Sequence, residues 1–240
     1  MHPGDGFVVV VNYNQEREIA RFLSDLKGFW PVEKTLVIDD ASTDGSGLLA
    51  AAAGYEVLQH ATNRGVGAAI ASGIRAARGR SAQFVAILSS NGKMLPSELA
   101  RVIAPILANE ADYVTGSRFL ENGGSASVPF FRRYTIPLAS IFLNLFLQFK
   151  YTDVTCGYRA YRLALFDDPR FDIYQPWLER YQLEYYQHFV VAKYGFRIQE
   201  VPVHIVYGHL EKGRRSKIKP IVDWWKMLSP ILFLWLRIKK

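Results

Sequence analysis

Two adjacent carboxylates close an apolar run at Ile38-Asp39-Asp40, with Ser42, Thr43, Asp44 and Ser46 close behind. Carboxylates so placed can accept hydrogen bonds from a ribose or a base, while Ser42 or Asp44 can cap the next helix. The same residue types also make ordinary caps and turns, so from this stretch alone both readings stand. Asn63-Arg64-Gly65-Val66-Gly67 begins like a dinucleotide fingerprint, but Ile70 stands where a third glycine belongs and no strand-ending acid follows at the required distance. That excludes an NAD site and leaves the glycines for a tight turn and close helix packing beside a ligand. Ser89-Ser90-Asn91-Gly92-Lys93 ends another apolar run with no carboxylate at all. Its lysine is a point charge able to face a diphosphate, and Asn-Gly-Lys is equally plain turn chemistry. Arg214, Arg215 and Lys217 form a basic run, either solvated or attracting phosphate. The five histidines have no metal-ligand spacing and read as structural or surface residues.

These clusters need a scaffold that gathers strand ends. β-branched runs at 7–12, 35–40, 55–60, 84–89 and 112–117 alternate with helical periods at 15–26, 44–53, 66–78 and 97–109. That rhythm predicts a doubly wound α/β fold whose parallel sheet is covered on both faces. Ligands in such folds bind at the carboxyl ends of the strands, which singles out residues 12–14, 39–44, 63–67, 89–93 and 116–118. Beyond Arg118 the rhythm breaks into a Gly-rich turn, an apolar aromatic helix around Leu138 to Phe149, the stretch DVTCGYRAYR, an apolar strand over 197–207, the basic run and a final helix.

At 240 residues and 50% hydrophobic, the chain can bury a substantial core in one large domain. Its formal charge of +7 favours anionic partners. Nucleic acid is excluded because the basic residues cluster in one loop and no recognition module is visible. A single cysteine, Cys156, rules out an internal disulfide framework and reads as a structural thiol in a reducing compartment. No secretory signal is visible at the start. The apolar stretches 136–149 and 227–238 fall short of the roughly 20 residues that span a bilayer and suit core or interfacial helices. Trp224, Trp225 and the basic residues before them give the last helix the features of one lying on an anionic membrane surface; packing on the core or on a second subunit is the other reading.

Seven segments in this order, VVVNYN, VIDDASTDGS, NRGVGAAIASGIRAARG, DYVTGSRF, DVTCGYRAYR, YGFRIQEVPV and GRRSKIKP, together resemble the inverting family 2 glycosyltransferases. The similarity is greatest to the branch of dolichyl-phosphate mannose synthase and related polyprenyl-phosphate glycosyltransferases. It implies a GT-A fold: a Rossmann-like three-layer sandwich with a mostly parallel sheet, spanning 1–219, with a C-terminal interfacial helix over 220–240. It further implies sugar transfer with inversion from a UDP- or GDP-linked sugar to a polyprenyl-phosphate, other lipid-linked or glycan acceptor, by an enzyme on the cytoplasmic side peripherally attached to the membrane. Carried over by position, Tyr13, Asn14, Asp39, Asp40, Asn63, Gly67, Ser89, Asn91, Lys93 and Arg118 would contact the sugar donor. Asp153 or Glu184 would serve the acceptor as base or organiser, and Arg159, Arg214, Arg215 and Lys217 would hold phosphate. The family ends its fourth strand in Asp-x-Asp, which binds Mg²⁺ or Mn²⁺; Ser89-Ser90-Asn91 stands there, with Asn91 at the motif position, so the metal set is unknown and the implied cation is in doubt. The loss of those aspartates also supports a different class of protein, a non-catalytic module that binds nucleotide sugar or scaffolds a glycan-assembly partner.

Overall fold

A computed structural model describes residues 1–126, 130–207, 230–236 and 238. Arg214, Arg215, Lys217, Trp224, Trp225 and the boundary at 219/220 lie outside the described residues. The first half follows the expected alternation: β1 (Gly6–Asn12), α1 (Glu16–Lys27), β2 (Thr35–Asp39), α2 (Ser46–Ala52), β3 (Glu56–Gln59), α3 (Val66–Gly79), β4 (Phe84–Ser89), α4 (Leu99–Leu107) and β5 (Tyr113–Ser117). Then come β6 (Gly124–Ala126), α5 (Phe130–Asn144), β7 (Arg159–Arg162), α6 (Gln182–Lys193), β8 (Ile198–Pro202) and β9 (His204–Val206). Residues 230–235 are helical.

The seven-stranded sheet runs β3-β2-β1-β4-β7-β5-β8, and only β7 is antiparallel to its neighbours. β1, β2 and β4 are apolar runs because helices cover both their faces. On one side Ile19, Phe22, Leu23 and Leu26 of α1 join Val102, Ile103 and Ile106 of α4. The i, i+3, i+4, i+7 spacing in α1 lines up a single buried stripe, each side chain stabilising by ~1.5–3 kcal/mol. On the other side α3, α5 and α6 pack with Ile231 and Leu234 from the last helix. The three-layer sandwich is therefore present.

Three departures position the site. The strand expected over 197–207 divides at Val203, whose N–H bonds Ser117 at 3.0 Å and whose carbonyl receives Gly124 at 3.1 Å, so β9 leaves the main sheet and pairs with β6. β7 was not anticipated: Arg-Ala-Tyr-Arg is not an apolar run, yet it slots between β4 and β5. The apolar helix ends at Asn144 rather than Phe149, because the Asn144 side chain donates to the Tyr151 carbonyl at 2.8 Å and accepts from its N–H at 2.9 Å.

Candidate active site

Asn12, buried at the end of β1, ties three strand ends together. Its amide donates to Asp39 Oδ1 at 2.7 Å and Ser46 Oγ at 2.9 Å, and its carbonyl accepts from Ser90 Oγ at 2.7 Å. Asp39 also accepts from the Ser42 hydroxyl and N–H and, at 3.2 Å, from Gln59. Asn14, at φ +52°, accepts the Thr43 N–H at 2.8 Å, locking the β1 and β2 loops together. Asp44 binds Ser46 and the Glu16 N–H; burial works against its charge, but those bonds outweigh it and lower its pKa.

Asp40 fastens the loop before α3. It accepts from the N–H groups of Arg64 at 2.9 Å and Gly65 at 2.7 Å and from the Asn63 amide at 2.9 Å, and it lies 2.8 Å from His60 Nδ1. The far ring nitrogen of His60 lies 2.9 Å from Ser72 Oγ on α3. Gly65 adopts φ +109°, and a Cβ on Gly67 would stand 2.0 Å from the Leu178 carbonyl oxygen. The Ala68 N–H donates to the Glu179 carbonyl at 2.9 Å, so the start of α3 is closed by main chain. A shallow crevice of about 40 Å³ flanks α3, lined by Arg64, Arg75, Tyr174 and Glu179 among others, away from Ser89 to Lys93. Its cations are engaged, Arg64 with Glu179 and Arg75 over the Tyr174 ring.

At the end of β4, Ser90 is buried by its bond to Asn12, and Asn91 Oδ1 accepts the Lys93 N–H at 3.1 Å across Gly92, which has φ +71°. This Asx turn fixes Lys93 on the rim. Its ammonium sits 5.5 Å from the centre of the Tyr207 ring. The Tyr207 hydroxyl accepts from Arg118 at 2.6 Å, and Arg118 grips both oxygens of Asp153 at 2.6 and 2.7 Å. Lys93 and Arg118, dispersed in sequence, thereby meet at one tyrosine, with Asp153 joined through Arg118. Burial disfavours the Arg118 charge, but Asp153 outweighs it and raises the pKa. Beside this pair, Glu200 accepts from the N–H groups of Thr152 and Asp153, and burial raises its pKa.

Several of the residues expected to meet ligands are already engaged within the chain. Arg118 was placed at the diphosphate, but its guanidinium is committed to Asp153, Thr155 and Tyr207. Arg159 was placed at the acceptor phosphate; it is 1% exposed, turned toward α6, where it bonds Glu184 at 3.1 Å and Gln187 at 3.2 Å. Gly67 packs on the backbone of 178–180, and Asp39 and Asp40 are buried with their oxygens bound to the loops. Tyr13, Asn63, Ser89, Asn91 and Lys93 retain partial exposure at the strand ends.

The chain matches the glycosyl transferase family 2 model over residues 7–169. It belongs to glycosyl transferase family 2. This family 2 glycosyltransferase is 29% identical over 213 residues to an undecaprenyl-phosphate mannosyltransferase of Micrococcus luteus, covering 87% of the chain and 86% of the relative. A polyprenol monophosphomannose synthase of Mycolicibacterium smegmatis is 26% identical, covering 87% of the chain and 80% of the relative. Among solved structures, glucosyl-3-phosphoglycerate synthase of Mycobacterium tuberculosis with Mn²⁺, UDP and glucosyl-3-phosphoglycerate superposes with a TM-score of 0.66 at 17% identity, covering 97% of the chain and 80% of that structure. The fold is therefore GT-A.

A divalent cation of the kind in that neighbour would meet no carboxylate on the three residues that end β4. Hard cations take oxygen ligands, among which one or two carboxylates are usual. Ser89 and Asn91 bring a hydroxyl and an amide, the Asn91 oxygen already accepts a backbone N–H, and Ser90 is spent on Asn12. Among the described residues, no three His, Cys, Asp or Glu side chains gather to hold a metal. One oxygen of Glu18 lies 3.0 Å from where a Cβ on Gly92 would stand. Sequence reasoning missed the bridging role of Asn12 and Tyr207. A buried-type position holding Asn after FVVVV was the visible signal for the first; nothing local marked Tyr207.

Proposed function

We propose that this glycosyltransferase moves a sugar from a nucleoside diphosphate to a polyprenyl phosphate at the cytoplasmic surface of a membrane. The observation that carries the reading is the two-sided use of α5. Inward, Ser140 accepts the Val154 N–H at 3.2 Å and Asn144 bonds Tyr151, so the helix holds the segment that bears Asp153. Outward, Leu138 and Ile141 are exposed, as is Leu145 just past the helix end, and the Phe146–Trp235 ring contact at 5.7 Å joins them to exposed Trp235, Leu236 and Ile238. Such an aliphatic and tryptophan surface, with Lys150 beside it, suits an anionic lipid interface. No helix among the described residues is long and apolar enough to cross a membrane. The names of the Micrococcus and Mycolicibacterium relatives support the same acceptor class.

In the reaction, a phosphate oxygen of the acceptor bonds to the anomeric carbon as the bond from that carbon to the diphosphate oxygen breaks. The electron pair leaves with the nucleoside diphosphate, and a single displacement inverts the carbon. An anionic phosphate needs no strong base. Asp153 and Glu184, each paired with an arginine, accordingly position the acceptor segment rather than remove a proton. The sugar-donor side contributes Tyr13, Asn14 and Asn63 with the loops that Asp39 and Asp40 hold.

The test is to incubate the purified chain with labelled UDP-glucose, UDP-N-acetylglucosamine or GDP-mannose and undecaprenyl phosphate in anionic vesicles. Label from one donor is expected in the organic phase. Nucleotide binding without transfer from any donor would favour the non-catalytic module, the reading that the carboxylate-free end of β4 supports.

A further inference from the structure

Something must offset the charge of the departing diphosphate, and the end of β4 supplies no carboxylates with which to hold a cation for it. The three positions after Leu88 bring only neutral oxygens, two of which are already engaged by Asn12 and by the Lys93 N–H. The same turn instead presents an ammonium. Three constraints hold Lys93 on rigid backbone: the Asx turn from Asn91, the Val206 N–H donated to the Lys93 carbonyl at 3.0 Å, and the bridge between Met94 and Ile205. Its side chain lies over Tyr207, on the ring whose hydroxyl is bound by Arg118. Arg118 is neutralised by Asp153 and buried, so it adds no net charge to the cleft. Lys93 is half-buried beside Ser89 and Asn91, at the carboxyl edge of the sheet.

We propose that Lys93 takes the place of the divalent cation and holds the diphosphate of the sugar donor, so that nucleotide binding by this chain is independent of metal. A lysine ammonium can serve as a point charge against phosphate oxygens, with three N–H donors that reorient as charge develops on the leaving group. The inference rests on the reading of the chain as a user of nucleoside diphosphates.

The experiment is calorimetric titration of the full chain with UDP and with GDP, first in Mn²⁺ and then in excess EDTA. One nucleotide is expected to bind, with dissociation constants within about threefold in the two conditions. Lys93→Ala is expected to weaken it by about 10- to 100-fold in both, the worth of a hydrogen bond to a charged group, while Lys93→Arg keeps most of the affinity and the parent nucleoside binds Lys93→Ala unchanged. The double variant Ser89→Asp with Asn91→Asp should acquire a Mn²⁺ response of tenfold or more. Binding that vanishes in EDTA and returns with Mn²⁺, an unchanged affinity in Lys93→Ala, or an equal Mn²⁺ response in wild type and the double variant would each overturn the Lys93 assignment while leaving the nucleotide-binding reading intact. No binding of either nucleotide under any condition would remove that reading, and the assignment with it.

Discussion

The side of the cleft proposed for the sugar donor and the side proposed for the acceptor use their carboxylates in opposite ways. Asp39 and Asp40 are met by amides, hydroxyls, backbone N–H groups and one imidazole, with no guanidinium or ammonium on either among the described residues. Asp153 and Glu184 are each met by a buried arginine. On the first side the acids organise short loops without being neutralised by Lys or Arg. On the second, charge is matched internally across 35 and 25 residues of sequence. The difference teaches where a phosphate can be received: on the second side Arg118 and Arg159 are matched by Asp153 and Glu184, with Glu200 a further carboxylate beside them, and Lys93 stands on the rim between the two sides.

The largest effect should come from unbalancing a buried pair. Asp153→Ala leaves Arg118 charged and unpaired in the interior and is expected to cost ~3–5 kcal/mol in denaturant unfolding. Replacing both partners, Arg118→Met with Asp153→Leu, should cost clearly less. Equal losses for the single and double variants would show that the pair itself, rather than its balance, holds the segment.

On the other side the loss should be smaller, because only neutral bonds are broken. Asn12→Ala strips partners from Asp39, Ser46 and Ser90 and is expected to lower stability by about 1–3 kcal/mol. Nucleotide affinity should fall with it, since the β1, β2 and β4 loops would lose their shared anchor; a variant destabilised but binding normally would separate the anchor from the cleft.

Protonation sharpens the contrast further. Burial, then the charge of Arg159, holds the His188 pKa well below the usual imidazole value. The folded chain therefore keeps His188 neutral while the unfolded chain takes up a proton below about pH 6.5. Stability from this group is complete above that value and falls as pH drops. Between pH 7 and 5.5 wild type should lose about 1 kcal/mol that His188→Gln does not, read from urea midpoints. Smallest in stability should be Leu138→Asp with Ile141→Asp, within about 0.5 kcal/mol because both residues are exposed. That variant should nonetheless release the protein from anionic vesicles in a flotation assay; undiminished flotation would exclude α5 as the lipid-facing surface.

How much of this was legible in the sequence also divides along the two sides. The β1 to β5 rhythm, the strand-end clusters and the carboxylate-free turn at Ser89 to Asn91 are local patterns, since a strand run and the loop after it lie together in the chain. Those features appear where expected. Their bonding did not follow from residue type: Asp39 and Asp40 look the same in sequence whether they face a ribose or close a loop. The acceptor side was harder, because β7 is short and bounded by arginines and its insertion between β4 and β5 depends on tertiary pairing. Arg159 reads as a surface cation in sequence and lies in the core because α6 brings Glu184 and Gln187 to it. The final helix divides by face, with Ile231 and Leu234 packed inside and Trp235 and Leu236 exposed.

The central claim, that the acceptor side serves an anionic nucleophile and contains no base, is tested most directly by offering undecaprenyl phosphate and undecaprenol side by side with the labelled sugar nucleotide. The account predicts transfer to the phosphate alone, with a rate that changes little between pH 6.5 and 8.5. Transfer to the free alcohol, with a rate rising through the titration of a single general base and abolished by Asp153→Asn or Glu184→Gln, would contradict it.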